Sequence, residues 1–508
     1  MTRIEYSEDG KTLIKASGDF RTFEVPEGVT AVQARAFTEC SWLESVKLPS
    51  TLTSIGASAF AFCDFLVEIE LSPGVTHIGD FAFCNCGSLV TINIPAGVTE
   101  IGASAFEDCS ALESIVFPPT LKTIGPRAFY CCGSLKSLDL PSGVESLGEH
   151  CFSFCVSLRS VEIPSSLSEL GPYVFADCAL LESVSLPENL THIGDSAFKS
   201  CVSLDEINFP SSLRSIGDSA FCSCDSLESI SLPSGLTTLG DSVFAFCDAL
   251  QSVELPDTLV HFGDSVFCDC DSLETVKFSS KLQRIGKSAF KDCRSLKTVV
   301  LPETLREIDD SAFDACASLE SIDFPPSLEI IGDSAFAFCT SLKSVVLPEA
   351  LKEIGDSCFA YCTGLSSLEL PSSFERSGDS AFAFCDCVET VSFSTGVTEL
   401  SRRMFKGCKA LKTVVLPDSL LKISAETFEY CSSLETVQCG AALKHVEDYA
   451  FADCSALTSV ELPDGVETIG KFAFKRCVAL ESLEVPPSVT SLGDKAFDGC
   501  TSLQTEEE

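Results

Sequence analysis

A phenylalanine followed three residues later by a cysteine recurs every 23 residues, from Phe37/Cys40 to Phe497/Cys500. The series runs through 21 copies with neither residue missing and no insertion or deletion. Self-similarity at a fixed period of this size marks a solenoid, in which each unit buries its apolar face against its neighbours. A chain of 508 residues would ordinarily divide into several globular domains; here the unbroken period predicts one elongated repeat domain over 23–508, preceded by a capping hairpin in 1–22. In that hairpin, Ile4–Tyr6 and Thr12–Lys15 read as short strands around an Asp9-Gly10 turn.

Each unit has its own internal order. Leu43, Val46 and Leu48 lead the first full unit, and the last three residues of this stretch alternate apolar, polar, apolar, as in a strand with one buried face. Pro49 then ends the strand, because proline cannot donate within a ladder. Leu52 and Ile55 return side chains to the core through a second short extended piece, and Gly56 turns the chain. In later units the glycine opens Gly217-Asp218-Ser219, whose Asp and Ser read as caps of a short helical or 3₁₀ turn carrying Ala220, Phe221 and Cys224.

The consensus L-x-x-L-x-L-P-x-x-L-x-x-I-G-x-x-A-F-x-x-C is carried, for example, by Leu227, Ile230, Leu232, Pro233, Leu236, Leu239, Gly240, Phe244 and Cys247. Over residues 23–503 it resembles the BspA-type leucine-rich repeats, the 23-residue Treponema class. The resemblance implies a right-handed solenoid with a parallel β-sheet on its concave face and short extended and helical or 3₁₀ turns on the other faces. It also implies kinship with surface proteins engaged in adhesion, so that an adhesion or antigen repeat region of a larger protein is the alternative to a free-standing binding scaffold.

Charge and cysteine usage narrow the function classes. A net charge of −40 repels nucleic acid and anionic lipid and favours a basic protein partner. The opening residues hold no apolar leader and no apolar run is long enough to span a bilayer, so membrane insertion is not expected. Of 29 cysteines, 21 form the column after Phe and read as buried free thiols packing as small hydrophobes. The others are scattered and form no disulfide framework, which favours a reducing compartment. The expected location is therefore cytoplasmic, or the cell surface if the chain is a fragment. No nucleophile elbow, metalloprotease helix or phosphate-binding loop is present, and no cofactor, metal or catalytic residue is expected.

In a solenoid, function falls to the columns that the core does not claim. Two residues after the leading Leu stands almost always a Ser or Thr, as at Ser45, Thr91 and Ser114, with Glu68 and Glu206 as exceptions. Two residues further, solvent-facing strand positions hold Glu70, Asp139, Glu162, Glu254, Asp323, Glu369, Glu461 and Glu484, interrupted by Val116, Val300, Val346 and Val415. These acids are the candidate partner-binding face. The Asp after Gly runs through Asp195–Asp264 and again through Asp310–Asp379, one per unit; capping is the expected role and calcium ligation the rival one. Between 374 and 447 the pattern frays: Phe374 replaces Leu, Ser377 replaces Ile, and Ser401 and Ser424 replace Gly. The same region carries the dense basic cluster Arg402, Arg403, Lys406 and Lys409, a candidate docking site for the acidic face of a second copy. The expectation is a non-enzymatic, protein-binding scaffold.

Overall fold

The computed structural model describes residues 3–371 and 376–503 and divides into two units, Met1–Leu250 and Gln251–Glu508. Each unit is a parallel β-solenoid with one turn per sequence repeat.

The first unit opens with strands β1 (Arg3–Tyr6) and β2 (Thr12–Ser17), paired antiparallel. Gly10 donates its N–H to Ser7 O at 2.9 Å, which closes the tight turn between them. β3 (Thr22–Glu24) and β4 (Ala31–Val32) begin two separate parallel ladders. β3 pairs with β5 (Ser45–Lys47) and leads the ladder of first strands. β4 pairs with Ser54–Ile55 and belongs to the ladder of second strands, and β2 continues that ladder on the other side of β4. The hairpin is thus hydrogen-bonded into the solenoid as an extra rung. It fully buries Leu13 and Ala16 against the first turn, which protects an otherwise bare sheet edge.

Wherever parallel first strands pair, the register is one repeat per rung: Ser160 pairs with Ser183 in the first unit, and Ser321 with Thr298 in the second. Within the first strands the middle residue is buried and its neighbours are exposed, as in Ser252–Glu254. This is the period-two pattern expected of a half-buried strand. At two of the positions that lack the proline, Ser72 and Ser279 occupy its place and are buried, with Ser72 Oγ donating to Pro49 O at 2.7 Å.

The segment expected to be a helical turn is a run of overlapping β-turns, and no helix occurs among the described residues. In the repeat around Phe60, Ala59, Ala61 and Cys63 donate N–H to the carbonyls three residues back, at 3.1, 3.2 and 3.3 Å. The alternate amides of Ser58, Phe60 and Phe62 donate to Asp80, Ala82 and Cys84 of the next repeat, at 2.8, 2.8 and 2.9 Å. Helix is ruled out because Ser58 (φ 53°) and Phe62 (φ 61°) are left-handed. A positive φ at the third residue of a turn sends every second N–H outward, where it bonds the neighbouring repeat. Each such residue costs about 1–3 kcal/mol of strain, which the inter-repeat ladder offsets.

Phe and Cys act together in this ladder. The Phe rings stack face to face along each unit, as in Phe313, Phe336 and Phe359 with centroids 5.2 and 5.3 Å apart. From Cys63 on, the ladder thiols donate to the carbonyl of the Phe one repeat earlier: Cys63 Sγ to Phe37 O at 3.3 Å, Cys362 Sγ to Phe336 O at 3.1 Å. That carbonyl already accepts the N–H of its own Cys, as Phe37 O does from Cys40 at 3.0 Å. The column needs a small apolar side chain with one donor, and cysteine supplies both.

Spacing in the stack varies. Around Phe313 the centroids lie 5.4 and 5.2 Å apart. Beside Met404 the steps on both sides of Phe405 are 5.8 and 5.7 Å, and beside Val174 those around Phe175 are 5.6 and 5.7 Å.

Candidate binding face and the basic cluster

All eight acids of the strand column are exposed, one face of the strand having gone to the core and the other to solvent. They are not equivalent. Glu254 forms an ion pair with Lys277 on the adjacent rung. Glu70, Asp139, Glu162, Asp323, Glu369, Glu461 and Glu484 have no ion pair among the described residues. Asp139 and Glu162 stand on consecutive rungs and line one shallow groove with Ser185 and Asn189. The interrupting valines are also outward: Val116 is 60% exposed, Val300 80%, Val346 77% and Val415 55%.

A third column, one residue after the leading Leu, carries charges of both signs that pair between adjacent rungs. Lys136 reaches Glu113 at 2.8 Å, Lys297 reaches Glu274 at 3.3 Å and Lys343 reaches Glu320 at 2.6 Å. Such exposed pairs contribute about 0–1 kcal/mol each, but they neutralise this column locally.

The basic cluster is turned toward the chain itself. Arg402, Arg403 and Lys406 converge on Glu426, at 2.7, 2.6 and 2.7 Å. Lys406 also lies 2.6 Å from Glu429, whose side chain is 10% exposed. Lys409 reaches Asp386 at 3.0 Å and Lys412 reaches Glu389 at 3.4 Å. Although partial burial works the other way, hydrogen bonds from Arg403, Lys406 and Arg402 hold the Glu426 carboxyl well below the usual carboxylate range. Burial pushes Glu429 upward instead. The cluster is therefore joined in an ion-pair network with its own chain. Glu426 was missed in the sequence because its partners lie about one repeat away; reading charges down the columns finds it.

The frayed positions meet in the same place. Ser377 Oγ lies 2.6 Å from Ser401 Oγ and 3.8 Å from Met404 Sδ. Ser401 Oγ donates to Ser377 O at 2.7 Å, and the buried Thr427 donates to Ser424 O at 2.7 Å. Phe374 lies outside the described residues.

The Asp column does not cap its own turn. Its carboxylates accept the N–H at the equivalent position one repeat on, as Asp218 Oδ1 does from Asp241 at 2.8 Å and Asp333 Oδ1 from Asp356 at 2.7 Å. The glycine beside it is needed because a Cβ on Gly355 would lie 2.4 Å from Asp333 N. No group of side chains suited to a metal ion occurs among the described residues.

The ladder thiols are shielded. Burial pushes Cys178, Cys362 and Cys408 up to about 12, so they are poor nucleophiles. Cys387 alone among the described cysteines is exposed. On the turn face, Phe338, Tyr361 and Phe384 stack at 4.7 Å intervals with Phe338 and Tyr361 48% and 39% exposed.

The sequence matches the BspA type Leucine rich repeat region over 15–122, 99–225, 192–320, 306–435 and 422–506. The chain belongs to this family. Among solved structures, a leucine-rich repeat protein from Bacteroides ovatus is 28% identical, with 73% of this chain and 81% of that one covered and a TM-score of 0.50. A leucine rich cell surface protein from Faecalibacterium prausnitzii is 25% identical over 67% of this chain and 92% of that one, with a TM-score of 0.39. The T. pallidum leucine-rich repeat protein is 29% identical over 40% of this chain and 87% of that one, with a TM-score of 0.29. No curated protein matches the chain. The BspA-type chain is a repeat scaffold, and no helix among its described residues is long and apolar enough to cross a membrane.

Proposed function

We propose that this BspA-type scaffold is non-enzymatic and binds a protein partner of basic character through the exposed face of its first strands. The observation that carries the reading is the division between columns. Leu, Phe and Cys, the recurrent residues, are buried and hydrogen-bonded or stacked within the solenoid. The strand acids are exposed, varied from rung to rung, and seven of the eight lack an ion pair among the described residues. Solvent-facing strand positions of a solenoid form an extended binding surface, and unpaired carboxylates there attract cations and steer association.

The test is quantitative capture of partners on immobilised protein, comparing the parent with two charge-reversed variants. Glu461→Lys/Glu484→Lys alters the strand face; Glu303→Lys/Asp464→Lys alters the turns after the strands. Loss of partners with the first and retention with the second is the expected result. Equal retention by both excludes this face.

A further inference from the structure

We propose that the strand face between Val300 and Glu369 is a docking surface for a basic polyproline-II segment of another protein. The proposal rests on the strand-face reading above and adds the conformation and composition of the ligand.

Along this part of the second unit the outward strand position reads Val300, Asp323, Val346, Glu369, one per rung. Val300 faces Asp323 in register, and Val346 faces Glu369. The valines are 80% and 77% exposed, the highest values of any large apolar side chain described. A lone exposed valine needs no explanation, but two at equivalent repeat positions, each followed by a carboxylate on the next rung, form a repeating pattern. The period of that pattern is two rungs, about 9.6 Å at the usual strand spacing of about 4.8 Å.

Few peptide conformations share this period. A polyproline-II helix rises about 3.1 Å per residue with three residues per turn, so its equivalent side chains recur every ~9.3 Å. A β-strand laid along the same line presents side chains every ~6.7 Å, and an α-helix every ~5.4 Å per turn. With polyproline II, a prolyl ring at every third position sits on Val300 and then on Val346. A Lys or Arg between them reaches Asp323 and then Glu369.

The neighbouring columns complete the match. Two residues earlier on each strand stand Thr298, Ser321, Ser344 and Ser367. They lie about 6.7 Å to the side and can donate hydroxyl hydrogens to the peptide carbonyls, which polyproline II leaves without internal partners. The lysines beside them do not cancel the acids, since Lys297 is held by Glu274 at 3.3 Å and Lys343 by Glu320 at 2.6 Å. Asp323 and Glu369 thus remain available to a cation from outside.

The experiment is fluorescence anisotropy of the full chain with two labelled peptides of about twelve residues, one of Pro-Pro-Lys triplets and one of Gly-Ser-Lys triplets. Their charge is equal and only the first is held in polyproline II. The prolyl peptide is expected to bind at least tenfold more tightly. Val300→Ser/Val346→Ser should weaken it about tenfold without altering the far-ultraviolet circular dichroism, and Asp323→Lys/Glu369→Lys should abolish binding. Equal binding of the two peptides, or indifference to the valine substitutions, overturns the inference while keeping an acidic strand face. Binding of either peptide that survives Asp323→Lys/Glu369→Lys overturns both the inference and the strand-face reading. Absence of binding by the prolyl peptide overturns the inference.

Discussion

From Asp310 to Asp379 and from Ser377 to Glu447 the second unit joins successive turns in two different ways. In the first stretch a Gly-Asp pair recurs on most rungs, the carboxylates of Asp310, Asp333 and Asp356 each take the amide one repeat on, and the Phe stack is tight. In the second, Ser401, Ser424 and Glu447 replace the glycine, Ser377 stands where Ile belongs, Met404 where Ala belongs, and the Phe stack is at its widest for that unit. Yet Phe405 remains fully buried and the thiol of Cys431 still donates to Phe405 O at 3.2 Å. The backbone ladder and the Phe–Cys pair hold the fold in both, and the remaining columns can be refilled with polar or oversized side chains provided neighbours compensate.

The largest expected effect comes from emptying the shared column. Phe336→Ala should cost about 3–5 kcal/mol, by loss of burial and by the cavity left between rigid turns. Phe405→Ala should cost less, because its neighbours already stand further apart. Because a solenoid need not unfold in one step, the measure is native-state hydrogen exchange at the alternate amides of the affected turn. An equal cost at the two positions would break the comparison.

Next is the compensation between Ser377 and Met404. Met404→Ala alone should cost about 2–5 kcal/mol by opening a void beside the small Ser377. Ser377→Ile alone should cost about 1–3 kcal/mol by crowding the long Met404. Together they restore the Ile and Ala of the other repeats, and Ser401 keeps the Ser377 carbonyl as acceptor. A double variant more stable than either single one is the expected outcome; additive losses would show that the two sites are not coupled.

The ionic network gives the third contrast and a pH dependence. Glu426→Gln should cost about 1.5–3 kcal/mol at neutral pH, the range for hydrogen bonds to charged groups. Because the folded-state pKa of Glu426 is depressed, its contribution is complete above the unfolded carboxylate value of about 4.3 and is lost as pH falls through the lower folded value. Glu429 has the opposite sign, since its raised pKa favours the folded state on acidification. The parent should therefore lose stability between neutral and strongly acidic pH more steeply than Glu426→Gln. Parallel pH profiles of denaturation would rule the network out as a stabilising element.

These contrasts also show what the sequence reveals and what it conceals. Period, strand and core were legible because Phe, Cys and Leu sit at positions where only one chemistry fits, so identity and role coincide. The turn conformation was not, because it depends on positive φ at residues as different as Ser58 and Phe62, which no side-chain preference signals. Asp333 illustrates a subtler ambiguity. An oxygen acceptor before a turn predicts a cap equally well whether the amide it meets lies in its own turn or in the next. The pairing of the basic cluster was hidden for the same reason: its partner Glu426 is near in space and about one repeat away along the chain.

The Asp column provides the smallest effect and the finest discrimination. Asp333 Oδ1 accepts from Asp356 N–H at 2.7 Å, while its own N–H donates to Asp310 Oδ1 at 3.0 Å. Asp333→Ala deletes one exposed acceptor and should cost about 1 kcal/mol, read as faster exchange of the Asp356 amide. Asp333→Asn retains an acceptor oxygen and removes one charge from a row of like charges, so it should be neutral or slightly stabilising. The frayed stretch shows why acceptor geometry matters more than charge. There Arg402 occupies the Asp position, and the Ala425 amide is met instead by Glu447 Oε2 from the following repeat, at 3.0 Å. The acceptor has changed residue and direction, but the amide is still satisfied. Equal losses in Asp333→Asn and Asp333→Ala would mean that the charge itself holds the turns together, and would give the column a role that its geometry does not indicate.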